Sequence, residues 1–142
     1  ENVRRELAQA DVVVAKLDAP AEEEFRSINR PIGKLRLGEI ADGIRLFRSE
    51  FKGKLALQMM FLEANKHCAP KMARMAEWLS PDEVQINTPL RPCGVKPLSP
   101  DDIAVIKREF AHLRNVFTVY EASRPEVAPL DLEETLRRRP KL

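Results

Sequence analysis

The sequence predicts an α/β fold: a parallel sheet of three to four strands with helices packed against it. Three observations carry that prediction. Residues 11–20, DVVVAKLDAP, open with three consecutive valines and an alanine, a run suited to a parallel strand buried on both faces. The run breaks off in Lys16, Asp18 and Pro20, so charge sits where the strand emerges at its carboxyl end. In α/β folds that is the end at which ligands bind. Strand-like and helix-like stretches then alternate along the chain, with connections long enough for right-handed crossovers.

In order, residues 1–10 read as a helix through Val3, Leu7 and Ala10. Glu1 is not a start methionine, and the chain reads as beginning inside a fold. Residues 12–17 are the first strand. Residues 21–37 are polar and irregular, with AEEEF as a helical turn and NRPIG as a turn. The length and charge of this stretch suit an excursion near a site rather than a minimal connection. Over 37–51, Ile40, Ile44, Leu46, Phe47 and Phe51 form one apolar stripe, and Gly53 ends that helix.

Residues 54–62, KLALQMMFL, read as a second buried strand whose end carries Glu63, Asn65, Lys66 and His67. A short amphipathic helix follows over 70–79 through Met72, Met75, Ala76 and Leu79, and EVQINT at 83–88 is the third strand. The proline-rich loop 89–100 carries Arg91, Cys93 and Lys96. Ser99 then reads as an N-cap with Pro100 at the first helical position and Asp102 at the third, opening a helix to about Leu113. Residues 115–120, NVFTVY, add a fourth strand or pair at an edge. The tail from Glu121 is charged and proline-punctuated, with a helical stretch over 132–138.

At 142 residues the chain has the size of one domain, and 44% apolar with 32% charged residues reads as globular. A net charge of +2 is too small to argue for nucleic acid. No apolar run is long enough to cross a membrane and no signal-peptide pattern opens the chain, so a cytoplasmic setting without a membrane partner is expected. Cys68 and Cys93 lie far apart and in no CxxC arrangement, which indicates neither a zinc ribbon nor a disulfide framework. GxGxxG, GxxxxGK and GxSxG are all absent, which removes the common dinucleotide, P-loop and hydrolase readings.

The strand ends align three polar clusters: Lys16 with Asp18, Gln58 with Glu63 and Asn65, and Asn87 with Thr88. Such groups can hydrogen-bond a ribose, an amino acid or a phosphate. Emergence into water also makes strand ends polar, with Asp18 capping the following turn. His67 and Cys68 are adjacent, but His112 is the only other histidine, and a zinc site needs more ligands. The pair reads as a surface histidine beside an inert cysteine. Cys93 is the better placed thiol, with Arg91 as its one positive neighbour. Met59, Met60, Met72 and Met75 read as core filler, and Arg137, Arg138 and Arg139 as a solvated run.

Taken together, VVVAKLDAP, EEEFRSINRP, GEIADGIRLFRSEFKGKLALQMMFLEAN and VQINTPLRP resemble the later half of a radical S-adenosylmethionine (radical SAM) protein. The branch they are most similar to is the Fe-S oxidoreductases related to the wyosine-forming tRNA enzymes. There, a strand ending in an LDA or VDAP tripeptide is followed by an RP dipeptide, here Arg30-Pro31, and a helix. TLRRRP near the tail resembles the RRP opening a small C-terminal appendage in that group. The resemblance covers nearly the whole chain.

It implies a partial (β/α)6 TIM-like barrel, with residues 1–122 as its C-terminal half and 123–142 as a tail leading to a missing appendage. The family holds a [4Fe-4S] cluster on a CxxxCxxC loop and cleaves S-adenosylmethionine to a 5′-deoxyadenosyl radical that abstracts hydrogen from substrate. That loop is absent here, and Cys68 and Cys93 lack its spacing. The resemblance therefore implies a segment that is inactive without the N-terminal half of its barrel. Lys16 and Asp18 resemble the position that reaches the cofactor's ribose or carboxylate. Gln58, Glu63 and Asn65 resemble the segment flanking its adenosyl group, without the family's glycine-rich version of it. Asn87, Thr88 and Leu90 resemble the stretch that meets adenine.

Implied partners are the missing half-barrel, a tRNA or small-molecule substrate, and a second copy through an open edge or an uncovered inner face bearing Val13, Ala15, Leu57 or their neighbours. The alternative is a non-catalytic α/β module that binds a partner or RNA through Arg137–Arg139.

Overall fold

In the computed structural model, residues 2–91, 93–122, 131, 133, 134 and 137 are described. Their order is α1 (Asn2–Leu7), β1 (Val12–Lys16), α2 (Glu22–Asn29), α3 (Leu37–Glu50), β2 (Lys54–Met60), a 3₁₀ turn (Lys66–Cys68), α4 (Ala69–Leu79), β3 (Glu83–Asn87), α5 (Pro100–Glu109) and β4 (Val116–Thr118). The strands form one sheet in the order β1-β2-β3-β4, every pair parallel, so the chain is an α/β fold as expected. The 115–120 segment is the fourth strand, paired to β3. The division at residue 122 and the helix at 132–138 fall largely outside the described residues.

Local chemistry accounts for the element boundaries. Ser99 Oγ accepts from the Asp102 N–H at 3.1 Å with Pro100 at the first helical position, so α5 starts where its cap dictates. The α3 end turns into β2 at Gly53, where a Cβ would lie 2.6 Å from the Asp11 carbonyl oxygen and against the Phe51 ring. Only glycine lets the two backbones approach there. Arg30 and Ser80 adopt left-handed φ of 47° and 51° and end α2 and α4.

The helices cover one face of the sheet. Leu57, Met59, Val84 and Ile86 from the strands meet Phe25 from α2, Met72, Ala76 and Leu79 from α4, and Ile103 and Ile106 from α5, with Phe110 closing the far end. A smaller cluster of Phe47, Phe51 and Leu55, joined by Val13 and Ile44, closes the β1 side.

Two expectations are corrected and one is narrowed. β1 is an edge strand rather than one buried on both faces: Val12 and Val14 are 52% and 49% exposed, because among the described residues no helix lies over their face and no strand flanks β1 on its outer side. Of the residues expected on an uncovered inner face, Val13, Ala15, Leu57 or their neighbours, it is the neighbours that lie there, while Val13, Ala15 and Leu57 themselves pack in the two clusters beneath the helices. The face without helices carries their alternate neighbours Val12, Val14, Lys16, Gln58, Met60, Gln85, Asn87 and Phe117, since successive strand residues point to opposite sides. Leu46 leaves the α3 stripe and is 45% exposed, one helical position away from the buried Phe47. In addition, residues 21–37 hold a regular two-turn helix, α2, where the sequence suggested a single turn.

Candidate functional site

The site is built where the strands end. After β1 the chain dives: Leu17, Asp18 and Ala19 are all buried. Asp18 Oδ1 accepts from the Lys16 ammonium and from the Met60 N–H, both at 2.9 Å, and Oδ2 accepts from Asn29 at 3.1 Å. One carboxylate thus ties the exit of β1 to the exit of β2 and to the end of α2.

Asn65, wholly buried, repeats the device. Its Oδ1 accepts from the Leu62 N–H at 2.7 Å, and its Nδ2 donates to the carbonyls of Asp18 at 3.0 Å and Met60 at 2.9 Å. With these bonds the side chain spends most of its capacity on backbone groups of two strand exits. Thr88 does the same after β3, where its Oγ1 accepts from the Leu98 N–H at 2.9 Å and fixes the base of the following loop. The Tyr120 hydroxyl donates to the Leu98 carbonyl at 2.6 Å and holds that loop from the other side.

A second set of polar groups stands on the face without helices. Lys16, Gln58, Gln85 and Phe117 form one row across all four strands. Gln58 Nε2 donates to Gln85 Oε1 at 3.1 Å, Gln85 Nε2 donates to Glu83 Oε1 at 2.8 Å, and Lys54 pairs with the other oxygen of Glu83. The Lys54 ammonium and the Gln85 amide hold the Glu83 carboxyl below its ordinary pKa. One row nearer the exits, Met60 and Asn87 stand side by side, and the Asn87 carboxamide makes no side-chain hydrogen bond among the described residues.

Other expected positions fall elsewhere. Glu63 is exposed and pairs with Lys66 at 2.9 Å, and Lys66 also faces Asp102 at 3.6 Å. The bond to Glu63, then the Asp102 charge, keep the Lys66 pKa above its ordinary value. Leu90 is 44% exposed on the loop after β3. Cys68 is buried with Sγ 3.4 Å from His67 Nε2, and burial together with Glu24 pushes its thiol pKa up, the opposite of an activated nucleophile. Cys93 is exposed and donates to the Val95 carbonyl at 3.3 Å. Met59 and Met72 are fully buried core residues. Arg137 pairs with Glu134 at 3.4 Å, while Arg138 and Arg139 lie outside the described residues.

Among the described residues, no group of three histidine, cysteine or carboxylate side chains is placed to hold a metal ion. A thiolate-held cluster needs three thiols, and the chain has two, one of them buried in the core. These residues do not fit a [4Fe-4S] cluster. The open amides and the ammonium of the strand exits do fit a polar organic cofactor. Among the described residues, no helix is long and apolar enough to cross a membrane.

Sequence reasoning missed Asn29, Gln85 and Phe117. Gln85 was legible as the middle polar position of EVQIN between Val84 and Ile86; Asn29 carried no signal, because its role depends on where α2 lands.

Comparison with known proteins gives the fold a context. The chain is 35% identical to a UPF0026 protein of Methanocaldococcus jannaschii over 114 residues, which is 78% of this chain and 36% of that protein. It is 38% identical to a UPF0026 protein of Synechocystis over 97 residues, 68% of this chain and again 36% of the relative. The chain therefore spans about a third of the length of these curated relatives. No family model matches it. Among solved structures it is similar to a radical SAM methyltransferase from Sphaerobacter thermophilus, with a TM-score of 0.64 at 20% identity over 82% of this chain and 37% of that one. The four parallel strands and their helices thus share the fold of part of a radical SAM enzyme.

Proposed function

We propose that this chain is the C-terminal part of the barrel of a radical SAM Fe-S oxidoreductase, in the branch related to the wyosine-forming tRNA enzymes. The observation that carries the reading is the superposition of its four-stranded parallel sheet on a radical SAM methyltransferase, together with strand exits whose polar side chains, Lys16, Gln58 and Asn87, stand on the side without helices. The family's chemistry, reductive cleavage of S-adenosylmethionine followed by hydrogen abstraction from a substrate, then belongs to the whole barrel. This segment supplies cofactor- and substrate-facing strand ends. The cluster ligands come from the preceding half, which pairs with the open edge of β1.

Within the cofactor-facing set of Lys16, Asp18, Gln58, Asn65, Asn87, Thr88 and Leu90, the residues divide by geometry. Lys16, half-exposed, offers an ammonium to a carboxylate or ribose; Gln58 and Asn87 offer amides; Leu90 stands exposed on the loop after β3. Asp18, Asn65 and Thr88 hold those groups at a fixed spacing through bonds to the backbone.

Two measurements test the reading. The reading is supported if the reading frame upstream carries a CxxxCxxC, and if the longer protein takes up iron and sulfide and cleaves S-adenosylmethionine, with Lys16→Ala raising the Kd for the cofactor about tenfold. A frame without that motif, or a 142-residue chain that builds a stable cluster unaided, overturns it.

One observation favours the RNA-binding alternative. Arg30 and Lys34 on the loop before α3, and Arg91 and Lys96 on the loop after β3, have no carboxylate partner among the described residues. Retardation of tRNA that weakens steeply with salt, and less steeply when these four are neutralised, supports it. Retardation indifferent to salt rejects it.

A further inference from the structure

A groove of about 610 Å³ runs along the helix-free face between β3 and β4, lined by Gln85, Asn87, Phe117 and the carboxylates Glu83 and Glu121. Its chemistry is unusual for a polar cleft because its charges are already spent. Lys54 neutralises Glu83, and Lys107 meets both oxygens of Glu121 at 2.7 and 2.9 Å. Among the described residues, a phosphate or a free carboxylate finds no unpaired cation there, and an ammonium finds no unpaired carboxylate.

What remains is neutral and directional. The Asn87 amide at one end of the groove belongs to the cofactor-facing set above, and Gln85 keeps one N–H and one lone pair after its bonds to Glu83 and Gln58. Phe117, in register with Gln85 and 48% exposed, presents an aromatic ring on the same face. Carboxamides pair with the donor–acceptor edge of a nitrogen heterocycle, and an aromatic ring stacks on its plane. Phe117 stands three strands from Lys16, about 14 Å at ordinary strand spacing, so the groove is separate from the ammonium end of the row.

We infer that this groove seats a neutral heteroaromatic ring of the substrate, read edge-on by Gln85 and stacked on Phe117. Its assignment to substrate rests on the radical SAM reading above, but binding of the ring does not, so the two can fail separately.

The test is saturation-transfer NMR on the 142-residue chain with adenine and cytosine as probes and phenol as a flat ring lacking such an edge. At least one base shows transfer and phenol does not. Phe117→Ala weakens base binding at least fivefold, while Phe117→Tyr retains it. Circular dichroism monitors the fold, and the Tyr variant together with Gln85→Met carries the test if the Ala variant unfolds. Gln85→Met weakens base binding as well. The inference is overturned if no base binds, if phenol binds as well as the bases, or if the Phe117→Ala and Gln85→Met variants bind unchanged. Displacement of the base by S-adenosylmethionine also overturns it, since the groove would then belong to the cofactor.

Discussion

β1 and β2 are neighbours with nearly the same kind of sequence, VVVAK and KLALQMM, yet they live in different solvents. In β2, Leu55, Ala56, Leu57 and Met59 are all buried, with strands on both sides and helices beneath. In β1 the same apolar character leaves Val12 and Val14 half exposed, because the strand is the sheet's edge and its outer face has no cover. Apolar content makes a strand; the neighbours decide how much water it loses. The contrast has an energetic counterpart, since full burial of a Val or Leu side chain is worth about 1.5–3 kcal/mol and half-exposed valines collect only part of it.

The comparison can be broken at four places. The largest effect is expected in the middle of β2. Leu57→Ala should cost about 2–5 kcal/mol by urea unfolding, as buried leucines do, and a loss under 1 kcal/mol would mean the β2 core is not packed as described.

Asp18→Ala comes next, where the two strands are tied together. It removes the acceptor shared by the Met60 N–H and the Asn29 amide and should cost about 1–3 kcal/mol. An unchanged unfolding midpoint would show that the brace is dispensable.

A third effect appears on the acid side. Lys54, which pairs with Glu83 across β2 and β3, depresses the folded carboxyl pKa below its unfolded value. The stabilisation is therefore fully present above the ordinary carboxylate range and is lost as pH falls through the folded pKa. Lys54→Met should flatten that acid-side loss in unfolding midpoints taken across pH; an identical slope would remove Glu83 from the account.

The smallest effect on stability belongs to β1. Val14→Thr on the open face should change stability by no more than about 0.5 kcal/mol. An unpaired strand edge beside exposed valines is a template for association, so the same variant should lower the apparent mass by light scattering if copies of the chain associate there. A monomeric wild type would remove that route.

Much of the fold was legible because its signals are local. Ser99 and Pro100 announce α5 by satisfying helix-start groups with their own chemistry, and Ile40, Ile44 and Phe47 announce α3 by spacing alone. The site was legible only in part. Lys16 and Asp18 stand out as charges after an apolar run, but nothing in the string says that one keeps an exposed ammonium while the other is buried under three donors. Gln85 and Phe117, far apart in sequence, become one row only through the β3–β4 register.

By itself the sequence determined where strands and helices form, that the strands run parallel with crossover helices, and that polarity collects at their carboxyl ends. These follow from periodicity, caps and connection length, which act within a few residues. The tertiary structure decided which face of each strand meets the helices, that β1 is an edge, and that Asp18 and Asn65 brace while Lys16, Gln58 and Asn87 face outward. A strand offers two faces of equal geometry. Only packing against the other elements, with the burial and hydrogen bonds it completes, selects between them.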